Sequence, residues 1–306
     1  MIKKYEEIYE AVQNSGQKKT ISVAMADDLS VLEAVKAADE KGIAKFLLVG
    51  NQEKIKKIAF QTGYDVEDED IIPTFTDEEI ASKSVELVRD GKAEILMKGH
   101  ISTPILMKAV LNKETGLRIG NVLSHVAVAE VSTYHKLIIL SDGGINILPD
   151  FQTKIAILNN MVLVANRLGI VKPNIAALCP IEKVNPKIQE TVDAAELQKM
   201  AEKGELGDIV LEGPIAMDVA LSVKAAERKG INSRIAGKTD AFLVPNITSG
   251  NAVIKVLMLL ANAKVGGLVI GAKVPIILLS RSDKPEEKLN SIALSILVSD
   301  QPYNVL

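Results

Sequence analysis

The sequence has a single cysteine, no tryptophan and few aromatic residues, 3% of the total. One cysteine excludes an internal disulfide framework and is typical of a reducing compartment, so we expect a cytoplasmic protein. Cys179 itself lies in NIAALCPIEKV, which reads as a buried strand. A small core residue is therefore a better interpretation of Cys179 than a nucleophile.

Long apolar runs and strongly basic stretches are also missing. The longest apolar runs fall far short of the roughly 20 residues that cross a bilayer, and the opening MIKKYEEIYEAV is an amphipathic helix, not a secretory segment. A net charge of −3 without a basic stripe argues against nucleic acid as a partner. The three histidines lack metal-ligand spacing, so no metal site is predicted, and surface or core roles are expected for them.

Strand-like and helix-like segments alternate along the 306 residues, which predicts an α/β fold made of parallel βαβ units. Apolar strand candidates are ISVAMA at 21–26, AKFLLVG at 44–50 and AEILMKG at 93–99. No strand is followed by a G-x-G-x-x-G motif or a Walker-type loop, and Gly143-Gly144 alone does not predict dinucleotide binding.

The most informative stretch is GGLVIGAKVPIILLSRSDKPEEKLNSIALSIL, at residues 266–297. Its uninterrupted apolar segment from Val274 to Leu279 predicts a strand that is buried on both faces. Asp283 and Glu286 have the spacing of a capping box, and Pro285 fits the first helical turn. A helix is therefore predicted to follow the strand almost directly.

Ser280 and Arg281 fall between this strand end and this helix start, where open α/β sheets bind ligands. The planar guanidinium of Arg281 suits phosphate, and Ser280 adds a hydrogen-bond donor. Glu286 or Glu287, on the first helical turn, is close enough to act as a base. A surface arginine that only pairs with the capping glutamates explains the local pattern about equally well.

A second polar turn follows the strand at 93–99. Lys98 and the hydroxyls of Ser102 and Thr103 stand where a helix opens, which suits an anion. An ordinary N-cap by either hydroxyl is the simpler local interpretation. For Asp27 and Asp28, helix capping is likewise favoured over metal binding.

Taken together, several segments resemble the phosphate acetyl/butyryltransferase family, and the butyryl branch more than the acetyl branch. They are, in chain order, LMKGHISTPILMKAVLNKETGLR, LSHVAVAEV, LSDGGIN, LEGPIAMDVALSVKAAERKGI, AGKTDAFLVPNITSGNAVIK and GAKVPIILLSRSD. The resemblance that they carry extends over nearly the whole chain. The resemblance implies two α/β domains around a cleft, as in isocitrate and isopropylmalate dehydrogenases. The first domain would be residues 1–135 plus 285–306, the second 136–284, and the assembly a homodimer or higher homo-oligomer.

The resemblance also implies an activity and its residues. Family members transfer an acyl group between phosphate and coenzyme A, which is a substrate, so no cofactor is expected. Arg281 would bind the phosphoryl group, Ser280 would hydrogen-bond the reacting thiol or phosphate, and Glu287, seven residues after the serine, would be the base. Glu286 beside it stays an alternative. Other cleft positions are matched by Thr103, Arg118, Ser124 and Asn251, and Lys98 completes the expected substrate-binding set.

Three other functions remain open at this point. The same reaction on acetyl phosphate differs only in pocket walls that the sequence does not place. A metal- and nicotinamide-dependent dehydrogenase of the same fold would need a cluster of metal-binding aspartates, which the sequence does not display. A noncatalytic protein that binds coenzyme A or phosphate would differ only in having no activity.

Overall fold

A computed structural model describes residues 1–16, 18–278, 280 and 283–299. The chain forms two compact units. The N-terminal unit comprises Tyr5–Asn121 together with the described residues from Lys264 to Ser299, and the central unit comprises Met1–Lys4 and Val122–Ala263. In the described part of the chain, no helix is both long and apolar enough to cross a membrane.

The boundaries between the units differ from those expected at 135/136 and 284/285. The chain divides after Asn121 and after Ala263. The first boundary falls earlier because strand Ser124–Glu130 pairs with Ile138–Ser141, so both belong to the central unit. The second falls earlier because strand Lys264–Ile270 packs against helix Pro285–Ser299 of the N-terminal unit.

The N-terminal unit has a sheet with strand order β3-β2-β1-β4-β11-β10, in which all pairs except β10–β11 are parallel. Its strands are β1 Lys19–Ala24, β2 Ala44–Gly50, β3 Ile71–Pro73, β4 Ile95–Lys98, β10 Lys264–Ile270 and β11 Ile276–Ile277. Its helices are α1 Tyr5–Asn14, α2 Leu29–Glu40, α3 Gln52–Thr62, α4 Asp77–Arg89, α5 Thr103–Val110 and α11 Pro285–Ser299.

The central unit has strand order β5-β6-β9-β7-β8, with an antiparallel β5–β6 pair and parallel pairing elsewhere. Its strands are β5 Ser124–Glu130, β6 Ile138–Ser141, β7 Asn174–Leu178, β8 Val210–Ile215 and β9 Ala241–Leu243. Its helices are α6 Phe151–Arg167, α7 Gln189–Glu202, α8 Met217–Leu221, α9 Val223–Lys229 and α10 Ile247–Leu259. Cys179 is 5% exposed, as expected of a core residue, and burial raises the pKa of its thiol to about 12.

Two predictions about the strands were wrong. All strand pairs were predicted to be parallel, but β5–β6 and β10–β11 are antiparallel. The connections within these two pairs are too short to contain a crossover helix, so the chain returns in the opposite direction. The strand predicted from Val274 to Leu279 is reduced to Ile276–Ile277, while Leu279 lies outside the described residues. An apolar run indicates a buried segment, which need not be a strand. Val274 and Pro275 belong to the connection between β10 and β11.

Helix α11 lies against β10 at very close range. A Cβ atom added at Gly266 would stand 2.7 Å from the Tyr5 hydroxyl and 2.8 Å from the carbonyl carbon of Asn290. The amide of Gly267 donates to the Ser291 hydroxyl at 3.0 Å, and the Tyr9 hydroxyl donates to Asn290 Oδ1 at 2.6 Å. These contacts fix the position of α11, whose first turn carries the glutamates predicted to act in the site.

A buried ion pair joins the segments that precede β6 and β9 in the central unit. Lys136 Nζ lies 2.5 Å from Asp240 Oδ1, and the two side chains are 8% and 3% exposed. The other carboxylate oxygen of Asp240 accepts from the backbone amide of Asn174 at 2.8 Å. A buried charge without its partner costs several kcal/mol, so this pair is sensitive to loss of either member.

We therefore expect Lys136→Met to lower the free energy of unfolding by about 3–5 kcal/mol, because it leaves the Asp240 carboxylate buried and uncompensated. The matched control is Lys172→Met, which removes an ion pair of similar length, 2.6 Å, with side chains 56% and 67% exposed. That change should cost less than about 1 kcal/mol. Urea unfolding followed by circular dichroism measures both, and equal losses would contradict the assignment.

Candidate active site

A pocket of about 200 Å³ opens in the N-terminal unit where β1, β4 and β11 end. These strands run parallel, so their carboxyl ends meet at one edge of the sheet, which is where α/β sheets place their ligands. The lining residues come from the segments that follow these strands and from the start of α11. They are Asp28, Ser30, Val31, Lys98, Gly99, His100, Ser280 and Lys288.

Gly99 brings the segment after β4 against the end of β1. A Cβ atom at this position would stand 2.1 Å from the Met25 carbonyl oxygen, which no side chain tolerates. The amide of Gly99 donates to Ala24 at 2.8 Å, and that of His100 donates to Met25 at 2.9 Å. Met25 has a positive φ of 61°, a conformation that non-glycine residues rarely adopt and that often marks functional sites. Lys98 and His100 are thus held at the pocket by backbone contacts.

Asp28 is the carboxylate around which the polar groups of the pocket are arranged. It caps α2, with Oδ1 accepting from the Val31 amide at 3.1 Å and from the Ser30 hydroxyl at 2.7 Å. Its Oδ2 lies 3.4 Å from His100 Nδ1. Partial burial raises the pKa of Asp28, but these hydrogen bonds and the positive charges of His100 and Lys288 outweigh it and hold the pKa below its usual range. The predicted capping role of Asp28 is confirmed.

Two lysine residues that line the pocket are almost fully buried. Lys98 is 5% exposed and Lys288 is 2% exposed. Lys98 Nζ donates to the Gly99 carbonyl at 3.2 Å, and Lys288 Nζ donates to the carbonyl of Asp283. Burial lowers the pKa of Lys288, and nearby carboxylates, Asp283 and Asp28 foremost, offset this only in part.

The start of α11 is capped one residue later than predicted. Glu287, at the third helical position, accepts a hydrogen bond from the backbone amide of Lys284, which immediately precedes the helix. Asp283 instead accepts from the Ser280 amide at 2.8 Å. The predicted Asp283–Glu286 capping box is therefore wrong, because Pro285 starts the helix and so moves the cap to Lys284.

Only some of the predicted catalytic and substrate-binding residues of the N-terminal unit line this pocket. Ser280 and Lys98 line the pocket, whereas Glu287, Thr103 and Arg118 are not among the described residues that line it. Thr103 is the exposed first residue of α5, and the Ser102 side chain forms no capping bond. Arg118 is exposed and bridges to Ala272 through the backbone. Arg281 lies outside the described residues.

Two further predicted residues, Ser124 and Asn251, belong to the central unit. Ser124 is fully buried, and its hydroxyl accepts a hydrogen bond from Asn160 Nδ2 at 2.8 Å. Asn251 is exposed on α10, where its Nδ2 donates to the Gly143 carbonyl at 3.3 Å. Within the residues that the structure covers, no group of three or more His, Cys, Asp or Glu side chains is arranged to hold a metal ion.

The sequence matches the family model described as phosphate acetyl/butaryl transferase over residues 4–83 and 74–296. The chain belongs to this family. A phosphate butyryltransferase from Clostridium acetobutylicum is 44% identical over 299 residues, which cover 98% of this chain and 99% of that protein. A phosphate acetyltransferase from Thermotoga maritima is 38% identical over 290 residues, covering 95% and 98%.

Among solved structures, a branched-chain phosphotransacylase from Enterococcus faecalis V583 superimposes with a TM-score of 0.80. It is 32% identical, and the match covers 92% of this chain and 99% of that one. The resemblance inferred from the sequence and the predicted α/β class are thereby confirmed.

Sequence reasoning missed the roles of His100 and Lys288 in the pocket. His100 had been expected to be an ordinary surface or core histidine, and Lys288 was hidden in the helix pattern of α11. Only the packing of α11 beside the ends of β1 and β4 shows that both side chains line the same pocket as Asp28. The sequence offered no local signal for Lys288, because it directly follows Glu286 and Glu287 in a polar segment.

We expect Asp28→Asn to lower the free energy of unfolding at neutral pH by less than about 1 kcal/mol, the usual worth of a charge at a helix N-terminus. Asparagine caps helices as well as aspartate, so the change isolates the charge. Because the pKa of Asp28 is depressed in the folded state, its contribution is complete above the ordinary carboxyl pKa of about 3.9 and disappears as the pH falls through the lower folded-state value.

Urea unfolding of both proteins between about pH 7 and pH 3 tests this. The difference between them should stay constant at neutral pH and shrink below about pH 4. A difference that grows on acidification would mean that Asp28 is destabilised as an anion.

Proposed function

We propose that this protein transfers a butyryl group between coenzyme A and inorganic phosphate, converting butyryl-CoA and phosphate into butyryl phosphate and free CoA. The observation that carries the proposal is the end-to-end match, at 44% identity, to a phosphate butyryltransferase. The pocket supports it, because Lys98, Ser280 and Lys288 provide a cationic, hydrogen-bonding environment at the ligand-binding edge of the sheet.

Acetyl transfer by the same mechanism is the second candidate. It is favoured by the 38% identity to a phosphate acetyltransferase along 95% of this chain. The two activities differ in acyl-chain length and share every step at the reacting atoms. The dehydrogenase considered from the fold alone gains no support from these relatives.

In the mechanism that we propose, written in the reverse direction, that of acyl-CoA formation, the CoA thiolate attacks the carbonyl carbon of the acyl phosphate directly. The carbon–sulfur bond forms, the carbon–oxygen bond to phosphate breaks, and phosphate leaves with that electron pair. Arg281 stabilises the leaving phosphate and Ser280 donates a hydrogen bond to the reacting groups. Since phosphate is already a good leaving group, positioning and electrostatics in a ternary complex supply most of the rate enhancement.

Glu287 takes the thiol proton in this mechanism. A thiol has a pKa of about 8.5 and a glutamate carboxyl about 4.3. Proton transfer from the thiol to the glutamate is therefore unfavourable by about four pKa units, or roughly 5–6 kcal/mol. Cationic groups that stabilise the thiolate reduce that cost. One oxygen of Glu287 accepts from the Lys284 amide, which fixes the carboxylate and leaves the other oxygen to act as the base.

We further propose that the protein works in the cytoplasm as a homo-oligomer and uses coenzyme A as a substrate, without a cofactor. Its partners are the acyl-CoA, phosphate and acyl phosphate. A single buried cysteine supports the reducing compartment.

The substrate is tested by phosphate-dependent release of free CoA from butyryl-CoA, with acetyl-CoA in a parallel assay. We expect a higher kcat/KM for butyryl-CoA. A higher value for acetyl-CoA would assign the acetyl activity and keep the mechanism. Absence of release from either substrate by a folded sample would overturn the proposed function in favour of a noncatalytic binder.

Replacing Glu287 by glutamine should lower kcat at least a hundredfold, the usual contribution of a general base. The amide oxygen of glutamine still accepts from the Lys284 backbone, so the cap of α11 survives and the loss reports on catalysis. The matched control is Glu286→Gln, which alters an exposed neighbour and should change kcat less than about threefold. A larger loss at Glu286 would assign the base to that residue instead.

A further inference from the structure

We propose that the α10 face, an exposed apolar side of helix α10, binds a second copy of this chain, an inference that rests on the proposed homo-oligomer and supplies its contact surface. The α10 face consists of Ala252, Val256 and Leu259 in the helix and Leu260 at its C-cap. In the proposed pair, the two α10 helices pack antiparallel across a twofold axis that passes beside Val256.

Helix α10 is apolar on both of its sides. Its buried residues, Gly250 and Ile254, lie on the side that packs on the central unit. On the other side, Val256 is 52% exposed, Leu259 75% and Leu260 82%. With 3.6 residues per turn, the α10 face occupies an arc of about 100°, so its side chains form one continuous stripe. A helix that is apolar all round is normally buried, which indicates that this side is covered in the assembled protein.

The α10 face also differs from an ordinary surface helix in its charge. Lys255 is the one charged residue in the sequence of α10, ITSGNAVIKVLML, and it lies at the border of the face. Helix α3, which is two residues shorter, has four exposed charged residues, namely Glu53, Lys54, Lys56 and Lys57. An exposed apolar patch without charges and with a polar border is typical of a protein–protein interface.

The missing charge favours a second copy of the chain as the partner. Across a twofold axis a surface meets itself, so each charged group on it meets a like charge. A strongly acidic or basic partner would instead require complementary charge on this chain, which the α10 face does not carry. Contact between two copies of the α10 face therefore brings no like charges together within the face.

The order of side-chain sizes along the α10 face suits antiparallel packing. The face begins with the small Ala252, continues with Val256 and ends with the larger Leu259 and Leu260. With the axis beside Val256, each valine meets its own copy and Leu259 lies against the partner's Ala252. Large side chains then pack against small ones at both ends of the contact, which fills the space between the helices.

An adjoining loop extends this apolar surface beyond the first turn of α10. Ile147 and Leu148 are 75% and 79% exposed. The Ile147 carbonyl accepts from the Ile247 amide at 3.1 Å, which places the loop at the start of the helix. A stable interface buries about 1,200–2,000 Å² in total, so the contact includes this loop as well as the α10 face.

Val256→Lys and Leu259→Lys test the surface, because each places a charge within the apolar contact. Each should raise the dissociation constant of the dimer at least about a hundredfold, measured by sedimentation equilibrium over a range of protein concentrations. The matched control is Phe60→Lys on α3, which changes an apolar side chain that is 88% exposed and should alter that constant less than about twofold.

A single cysteine tests the position of the axis, since a residue beside a twofold axis meets its own copy. Val256→Cys, treated with oxidised glutathione, should form a disulfide between two chains as the glutathione is reduced. Cys179 does not compete, because it is 5% exposed and burial raises the pKa of its thiol to about 12. The control Phe60→Cys should cross-link at least about tenfold more slowly, since its thiols meet only by collision.

Dimers of Val256→Cys that form no disulfide would overturn the proposed axis. Unchanged dissociation constants for folded Val256→Lys and Leu259→Lys would overturn the α10 face and leave the homo-oligomer standing. Circular dichroism checks that each variant is folded, and Leu259→Gln replaces one that is not. A monomeric wild type would overturn both the surface and the homo-oligomer. Failure of the proposed acyl transfer is separate, because it appears as absence of CoA release by a wild-type dimer.

Discussion

The close packing of α11 on β10 is the constraint on which the site depends. Gly266 has no side chain, so the helix backbone at Asn290 and Ser291 can approach the strand to within contact distance. Hydrogen bonds from Gly267 and Tyr9 then fix the helix along its axis. Because α11 is held in this way, Lys288 lies in the pocket at the ends of β1 and β4, although nearly two hundred residues of sequence separate it from Lys98.

The pocket brings opposite charges together in a partly dehydrated space. Asp28 is stabilised as an anion by two hydrogen bonds and by nearby positive charge, while Lys288 is destabilised as a cation by burial. In the proposed acyl transfer, cationic groups in such surroundings would favour the negative charge that develops when phosphate leaves.

The structural role of Glu287 is compatible with the catalytic role that we propose for it. Its carboxylate caps the helix by accepting from the Lys284 amide, which holds the side chain in one orientation. A general base benefits from being held in this way, because a fixed orientation reduces the entropy lost on reaching the transition state. The capping interaction and the proposed proton transfer are thus compatible uses of the two carboxylate oxygens.

The sequence by itself determined the α/β class, the family and the segments at which strands give way to polar turns. Apolar runs and turn residues are local signals, and they located β2 at Ala44–Gly50, the cap at Asp28 and the position of Ser280. Only the tertiary structure decided that β5–β6 and β10–β11 are antiparallel, that Pro275 lies in a connection, and that Lys288 joins Lys98 and His100 at one pocket. Pairing direction and the meeting of distant side chains depend on contacts between segments remote in sequence, and no local pattern of residues encodes them.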